Sequence, residues 1–169
     1  SHTIVRVRLG SELRIKASDA ESNDYFGDSV AMSGDGNKVI VGAHAEDPGG
    51  DSYAGSVYIF TYDSSNSNWG SQVKIDLALD KAPNDYFGWS VAMSGDGNKI
   101  IVGARDEEPG GLLDAGSAYI FTYGLTNYNQ WDAGTKIVAS DGAAPSDHFG
   151  YSVAMNSDGT KVVVGAFNE

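Results

Sequence analysis

The sequence predicts an all-β chain whose four-stranded antiparallel blades stand around an axis as a β-propeller, and three observations carry that expectation. Phe26–Ala43 returns almost letter for letter as Phe87–Ala104 and Phe149–Ala166, at spacings of 61 and 62 residues. That period is longer than a helical hairpin and suits a four-stranded sheet with its loops. Runs such as Lys38-Val-Ile-Val-Gly-Ala43 are unbroken and apolar, the mark of strands covered on both faces. The glycines, 22 of 169 residues, fall at fixed places in each repeat, so they mark turns and close packing rather than a flexible linker.

Within a repeat, the first strand is expected from Tyr25 to Ser33, where large residues (Phe26, Val30, Met32) alternate with small ones (Gly27, Ser29, Ala31). Both of its faces should be buried, the small face against the large face of the next sheet. Ser33-Gly-Asp-Gly-Asn37 reads as a tight hairpin because Gly and Asn tolerate positive φ. The second strand, Lys38 to Ala43, carries Gly42, which would let a neighbouring chain segment approach closely. Long polar loops follow from His44 to Ala54 and from Arg105 to Ala115. The third strands, Gly55 to Tyr62 and Gly116 to Tyr123, are rich in aromatic and β-branched residues. The fourth, near Gln72-Val-Lys-Ile75, alternates polar with apolar and belongs at the wet outer edge, with Trp69 and Trp131 capping the rim. Burial is thus expected to fall from the first strand to the fourth.

The whole chain, 1–169, reads as one repeat domain, with complete blades at 25–79 and 86–139. Residues 3–17, as Thr3–Leu9 and Glu12–Lys16, match the third and fourth strands of a blade, and 148–166 match the first and second. Three blades are too few to close around an axis, since propellers use four to eight. The expected assembly is a two-fold homodimer of six blades, each chain's C-terminal strands completing a blade begun by the other's N-terminal strands, the alternative being an excerpt of a longer propeller that would also dimerise.

The formal charge of −12, with eleven basic residues spread along the chain, argues against nucleic acid and favours cations or basic partners. The absence of cysteine excludes disulfides, thiolate metal sites and a Cys nucleophile. No apolar run approaches the roughly 18 residues of a membrane helix, so no membrane insertion is expected, and Ser1-His2-Thr3 lacks the layout of a signal peptide. His44 shares its repeat position with Arg105 and Phe167, and His148 shares its own with Tyr25 and Tyr86. Each therefore reads as drift within the repeat, and no catalytic residue is assigned.

Phe-Gly-x-Ser-Val-Ala-Met followed by Val-Gly-Ala resembles the FG-GAP repeat of integrin α-chain propellers and of many bacterial and algal surface proteins. The likeness is nearest to the secreted subtype with Ser-x-Asp-Gly-Asn in the hairpin and Ala-Gly-Ser-Val-Tyr-Ile-Phe before the outer strand. It implies a β-propeller at the cell surface or outside the cell, with an adhesion or ligand-recognition role and no catalysis in the repeat. The family's calcium loop, Asp-x-Asp-x-Asp-Gly, is reduced here to single carboxylates at Asp35, Asp96 and Asp158, which read as turn residues. No cofactor is required. If calcium binds, it is expected at the acidic loops, through Glu46, Asp47, Asp51, Asp106, Glu107 and Glu108.

In a propeller these loops and the blade linkers, 18–24, 80–85 and 140–147, emerge on one side. The expected ligand-binding face therefore comprises His44, Glu46, Asp47, Asp51, Tyr53, Arg105, Asp106, Glu107, Glu108 and Asp114. Two ligand classes are expected for it, a protein or cation-bridged partner and, alternatively, a carbohydrate. A propeller hydrolase or lyase is a distant third.

Overall fold

A computed structural model describes residues 13–77, 80–124, 130–140 and 143–168. Its ten strands fall into three sheets. The first blade is β1 (Val30–Met32), β2 (Lys38–Ala43), β3 (Ser56–Asp63) and β4 (Asn68–Ile75), and the second is β5 (Phe87–Met93), β6 (Lys99–Ala104), β7 (Ser117–Thr122) and β8 (Thr135–Ile137). A two-stranded sheet of β9 (Ser152–Met155) and β10 (Val162–Gly165) follows. All pairs are antiparallel in sequence order, with Ile40 opposite both Ala31 and Ile59, and Ile101 opposite both Ala92 and Ile120. Thr3–Leu9 and Glu12 lie outside the described residues. Leu13–Lys16 carries no ladder, but Ile15 and Ala17 are buried against Phe26, Tyr58, Phe60 and Trp69 of the first blade. Among the described residues no helix is long and apolar enough to cross a membrane.

The blades stack large face on small face. Phe87, Met93, Ile100, Val102, Tyr119 and Phe121 of the second blade pack on Ala31, Ile40, Val57 and Ile59 of the first. Trp69 closes the rim edge-on to Tyr62, and Trp131 edge-on to Tyr123. At the hairpin end the seam is sewn by backbone bonds, Gly34 N–H to the Gly95 carbonyl at 2.8 Å and Gly95 N–H to that of Ser157 at 2.7 Å. Lys38 Nζ reaches the Gly97 carbonyl at 3.1 Å, and Lys99 Nζ repeats the contact on Gly159 at 3.1 Å. Asp35 locks its own hairpin, accepting from Ser33 Oγ at 2.6 Å and Asn37 N–H at 2.9 Å. Those bonds hold its carboxyl down at about 2.

Two expectations about the first strand are corrected. Tyr25–Gly27 is not pleated strand but a tight turn. Tyr25 and Gly27 sit at φ 55° and 98°, and the pattern returns at Tyr86 and Gly88 and at His148 and Gly150. Large–small alternation cannot distinguish this turn from a strand, because both place Phe inward. Burial also does not fall from first strand to fourth. The middle strands β2, β3, β6 and β7 are the most buried, whereas Val30 and Met32 of β1 are 52% and 43% exposed. The inner half of that face has no neighbour among the described residues, since residues 13–20 cover only its outer half.

Gly42 and Gly103 are where neighbouring backbones come closest. A Cβ at Gly42 would overlap the Gly88 carbonyl oxygen, and one at Gly103 the Gly150 carbonyl oxygen. Ser29 Oγ and Ser90 Oγ donate to the same two carbonyls, each at 2.7 Å. Backbone cannot yield as a side-chain tip can, so Gly103→Ala should destabilise the chain by about 3 kcal/mol, the upper end of overpacking costs. Urea unfolding followed by circular dichroism measures it.

Candidate functional site

The end of the blades opposite the hairpins gathers the residues that follow Val-Gly-Ala, the residues that flank Phe-Gly, and the long loops. Val-Gly-Ala delivers His44, Arg105 and Phe167, while the Phe-Gly turns deliver Tyr25 with Asp28, Tyr86 with Trp89, and His148 with Tyr151. Their side chains form one continuous ribbon across the seams. Tyr25 stacks on His44 at 5.1 Å, His44 meets Trp89 at 4.7 Å, and Trp89 meets Tyr151 at 5.8 Å. Tyr151 stacks on Phe167 at 4.9 Å, and Tyr53 stacks on Tyr86 at 5.7 Å. The Arg105 guanidinium lies 3.6 Å from the centre of the Trp89 ring, a cation–π contact. The ribbon is wet at its margins, with Tyr25 54% and Phe167 64% exposed.

His44, by contrast, is buried, and burial holds its ring below the usual imidazole range. The charge of Arg105 acts in the same direction and that of Asp28, 3.9 Å away, opposes it. His148 Nδ1 lies 2.7 Å from Asp106 Oδ1, and the Arg105 guanidinium stands beside the same carboxylate as an ion pair, Nε 3.3 Å away. The contact with Asp106 holds the His148 ring in place beside the ribbon.

Of the residues expected on this face, the structure brings His44, Tyr53, Arg105 and Asp106 into the ribbon. Asp47 turns back on its own loop and accepts the Tyr53 N–H at 2.7 Å, while Asp51 lies 3.3 Å from Lys81. Glu108 is exposed beside the 3₁₀ turn Pro109–Gly111, and Asp114 sits at φ 53° with its carbonyl receiving the His148 N–H.

Glu46 and Glu107 are not surface ligands, and this corrects the expectation for them. Both are buried. Glu46 accepts from Ser56 Oγ at 2.6 Å and Lys74 Nζ at 2.9 Å. Glu107 accepts from Ser117 Oγ and, at 2.7 Å, from Lys136 Nζ. The lysines reach in from the fourth strands and are also held by Asp19 and Asp80. The polar residue of each outer strand thus ties that strand to the loop above it. Among the described residues no three His, Asp or Glu side chains are grouped to hold a metal.

The sequence reading missed Trp89, Tyr151 and Phe167 as site residues, and passed over Tyr86 and His148. A signal was present. In a repeat that recurs almost letter for letter, positions 28/89/151 and 44/105/167 carry a different chemistry in every copy, Asp/Trp/Tyr and His/Arg/Phe.

Beneath the face, Asp24, Asp85 and Asp147 brace the linkers, each accepting a backbone N–H from three residues earlier. Burial, with the charges of Glu107 and Asp80, pushes Asp85 up to about 7, against the Ala82 N–H. Between pH 4 and 7 the native chain therefore keeps a proton that the unfolded chain has released, so stability falls as pH rises through that window. Asp85→Asn should flatten this fall, read as melting temperatures at about pH 5 and about pH 7.5. Glu107→Ala leaves the buried Ser117 hydroxyl without its acceptor and Lys136 with Asp80 alone, and should cost about 2 kcal/mol, checked by denaturant unfolding.

The FG-GAP repeat family model matches residues 10–60, 69–121 and 131–169. No curated protein matches the chain. With most of the sequence covered by that match, on blades in which the Phe87-Gly88 and Phe149-Gly150 turns seat against the Val-Gly-Ala of the blade before, the chain belongs to the FG-GAP repeat family.

Proposed function

We propose that this chain is a non-catalytic recognition module that takes a protein partner through the ribbon running from Tyr25 to Phe167. The observation that supports this reading is the composition and continuity of that ribbon. Tyrosine, tryptophan and arginine are the residues that dominate binding energy in protein interfaces, because they bury large areas at small entropic cost. Here they stand in mutual contact on strand ends and loops that the blades hold rigid. Around them lie the exposed carboxylates Asp28, Asp47 and Glu108 on a chain of charge −12. A partner offering lysine or arginine is favoured by both the ring faces and the rim. The reading calls on no calcium.

A carbohydrate ligand is the second reading, favoured by one observation: the rings of Tyr25 and Phe167, at the two ends of the ribbon, are more than half exposed. Such rings can stack on the apolar face of a sugar.

Panning a displayed peptide library against the chain, beside a glycan array, tests both. Lysine- and arginine-rich peptides should be retained over acidic ones. Tyr25→Ala and Tyr53→Ala, both exposed positions, should weaken the best binder about tenfold each, the loss of roughly 1.4 kcal/mol expected at a hot spot. Glycan binding with the same sensitivity would select the second reading. Binding that ignores both substitutions would overturn both.

A further inference from the structure

The outer strands of the two blades are not alike. β4 runs eight residues, whereas β8 runs three. Where β4 contains Gly70-Ser71-Gln72, the second blade has Asp132-Ala133-Gly134, which lies outside any strand. Asp132 Oδ1 accepts the N–H of Thr122 at 3.1 Å and that of Gly134 at 3.0 Å. Gly134, at φ 80°, sits down on the Phe121 ring so closely that a Cβ would overlap it.

Across the seam from this segment a cleft of about 620 Å³ opens at the rim, between two consecutive blades. Val73, Ile75 and Leu77 form one wall and Tyr119, Phe121 and Trp131 the other. Val73 and Ile75 pair with Ile59 and Val57, which belong to the core of the seam, so β4 turns the same face to the cleft. Val73 is 40% exposed there, although Leu13, at the same repeat position, packs on the cluster that holds Phe60 and Trp69.

Three features of the cleft describe its occupant. Its size and its aliphatic and aromatic walls are those of a binding cleft. β4 has β3 on one side and, among the described residues, no strand on the other, and such an edge pairs with extended chain. The lining carries Asp76, Asp80 and Asp132 against Lys74 and Lys136, and both ammonium groups are already held, Lys74 by Asp19 and Glu46 and Lys136 by Asp80 and Glu107. The charge left over is negative and favours a cationic ligand. We infer that the cleft takes an extended peptide segment of a basic partner, added to the free edge of β4, with apolar side chains at alternate positions entering between Val73 and Trp131 and lysine or arginine between them. The alternation follows from the pleat: main-chain bonds to β4 hold the segment, and every second side chain meets the cleft. The site lies at the rim, shares no residue with the ribbon and does not rest on the recognition reading above.

The test uses the acetylated and amidated peptide Lys-Leu-Lys-Phe-Lys-Leu-Lys, titrated by calorimetry and by NMR. It should shift the amide signals of Val73 and Ile75 and the indole signal of Trp131, and the peptide with glutamate in place of lysine should not. Val73→Arg should weaken binding about tenfold, and Val73→Leu, which fills the cleft with the side chain that Leu13 offers at the same repeat position, should weaken it as well. Val73 is an exposed position, so both variants should keep the β-sheet circular dichroism spectrum, and Tyr53→Ala, in the ribbon, should leave the affinity unchanged. In an added strand all the apolar residues turn their N–H groups to one edge and all the lysines to the other. N-methylation of one set should therefore abolish binding and that of the other set spare it. No shift at the three signals, equal binding by the glutamate peptide, binding indifferent to both Val73 variants, or any other N-methylation pattern overturns the inference. Each would leave the ribbon and its ligand test standing.

Discussion

The structure depends on the seating of one blade's Phe-Gly turn in a notch of the blade before it. Gly42 and Gly55 line the notch, and a Cβ on either would strike the backbone of Phe87 or Gly88. Gly88 in turn lies against the Ser56 carbonyl, and Ser29 Oγ bonds the carbonyl that fills the notch. The next seam repeats this arrangement with Gly103, Gly116 and Gly150. Packing this tight tolerates no added atom, so the seam sets the sequence on both sides of it. Phe, Gly, Ser, Gly-Ala and Ala-Gly-Ser recur together because they are parts of one contact. That contact also requires the Phe-Gly segment to be a turn, since only its positive φ lets the Gly carbonyl point back across the seam.

The same seam decides where chemistry can vary. Residue 28, 89 or 151 leaves the turn immediately after the seated glycine, and residue 44, 105 or 167 leaves the second strand immediately after the notch. Across the first seam the two are neighbours, as the 4.7 Å contact of His44 with Trp89 shows. Neither position carries the seam, so both can differ in every copy. Loop ends held by rigid sheets are where recognition accumulates, and this fold supplies them in adjacent pairs. The buried glutamates below belong to the scaffold: each Glu–Lys–Ser set ties a loop to the outer strand of its own blade. Removing the lysine from such a set would leave a carboxylate buried without its charge partner, a costly state.

Most of the fold was legible because it is periodic. Repeat length, hairpins, two-sided burial of the second strand and close approach at Gly42 each follow from residue type at a fixed offset. The Phe-Gly turn was not, because alternation of Phe with Gly reads as a pleat when the positive φ of Tyr25 is invisible. Burial of the first strand was misjudged because it depends on what lies across the seam, a tertiary fact. Glu46 and Glu107 read as surface acids because their lysines are 28 and 29 residues away. The ribbon was hidden because its members come from three copies, and each looked alone like ordinary divergence.

Recognition and assembly are therefore properties of the same edge of the repeat. A side chain at position 44 gains a second ring neighbour when the following blade is seated, because Trp89 is carried on the turn that fills the notch while Tyr25 stands on its own blade. His44 has Trp89 in this way, and Arg105 lies against Trp89 on its own blade. The seated seam thus carries the ribbon from one blade to the next. A ligand that spans a seam touches both blades at once. It binds the joined state better than the separated one and so stabilises the joint by the difference in its affinity for the two.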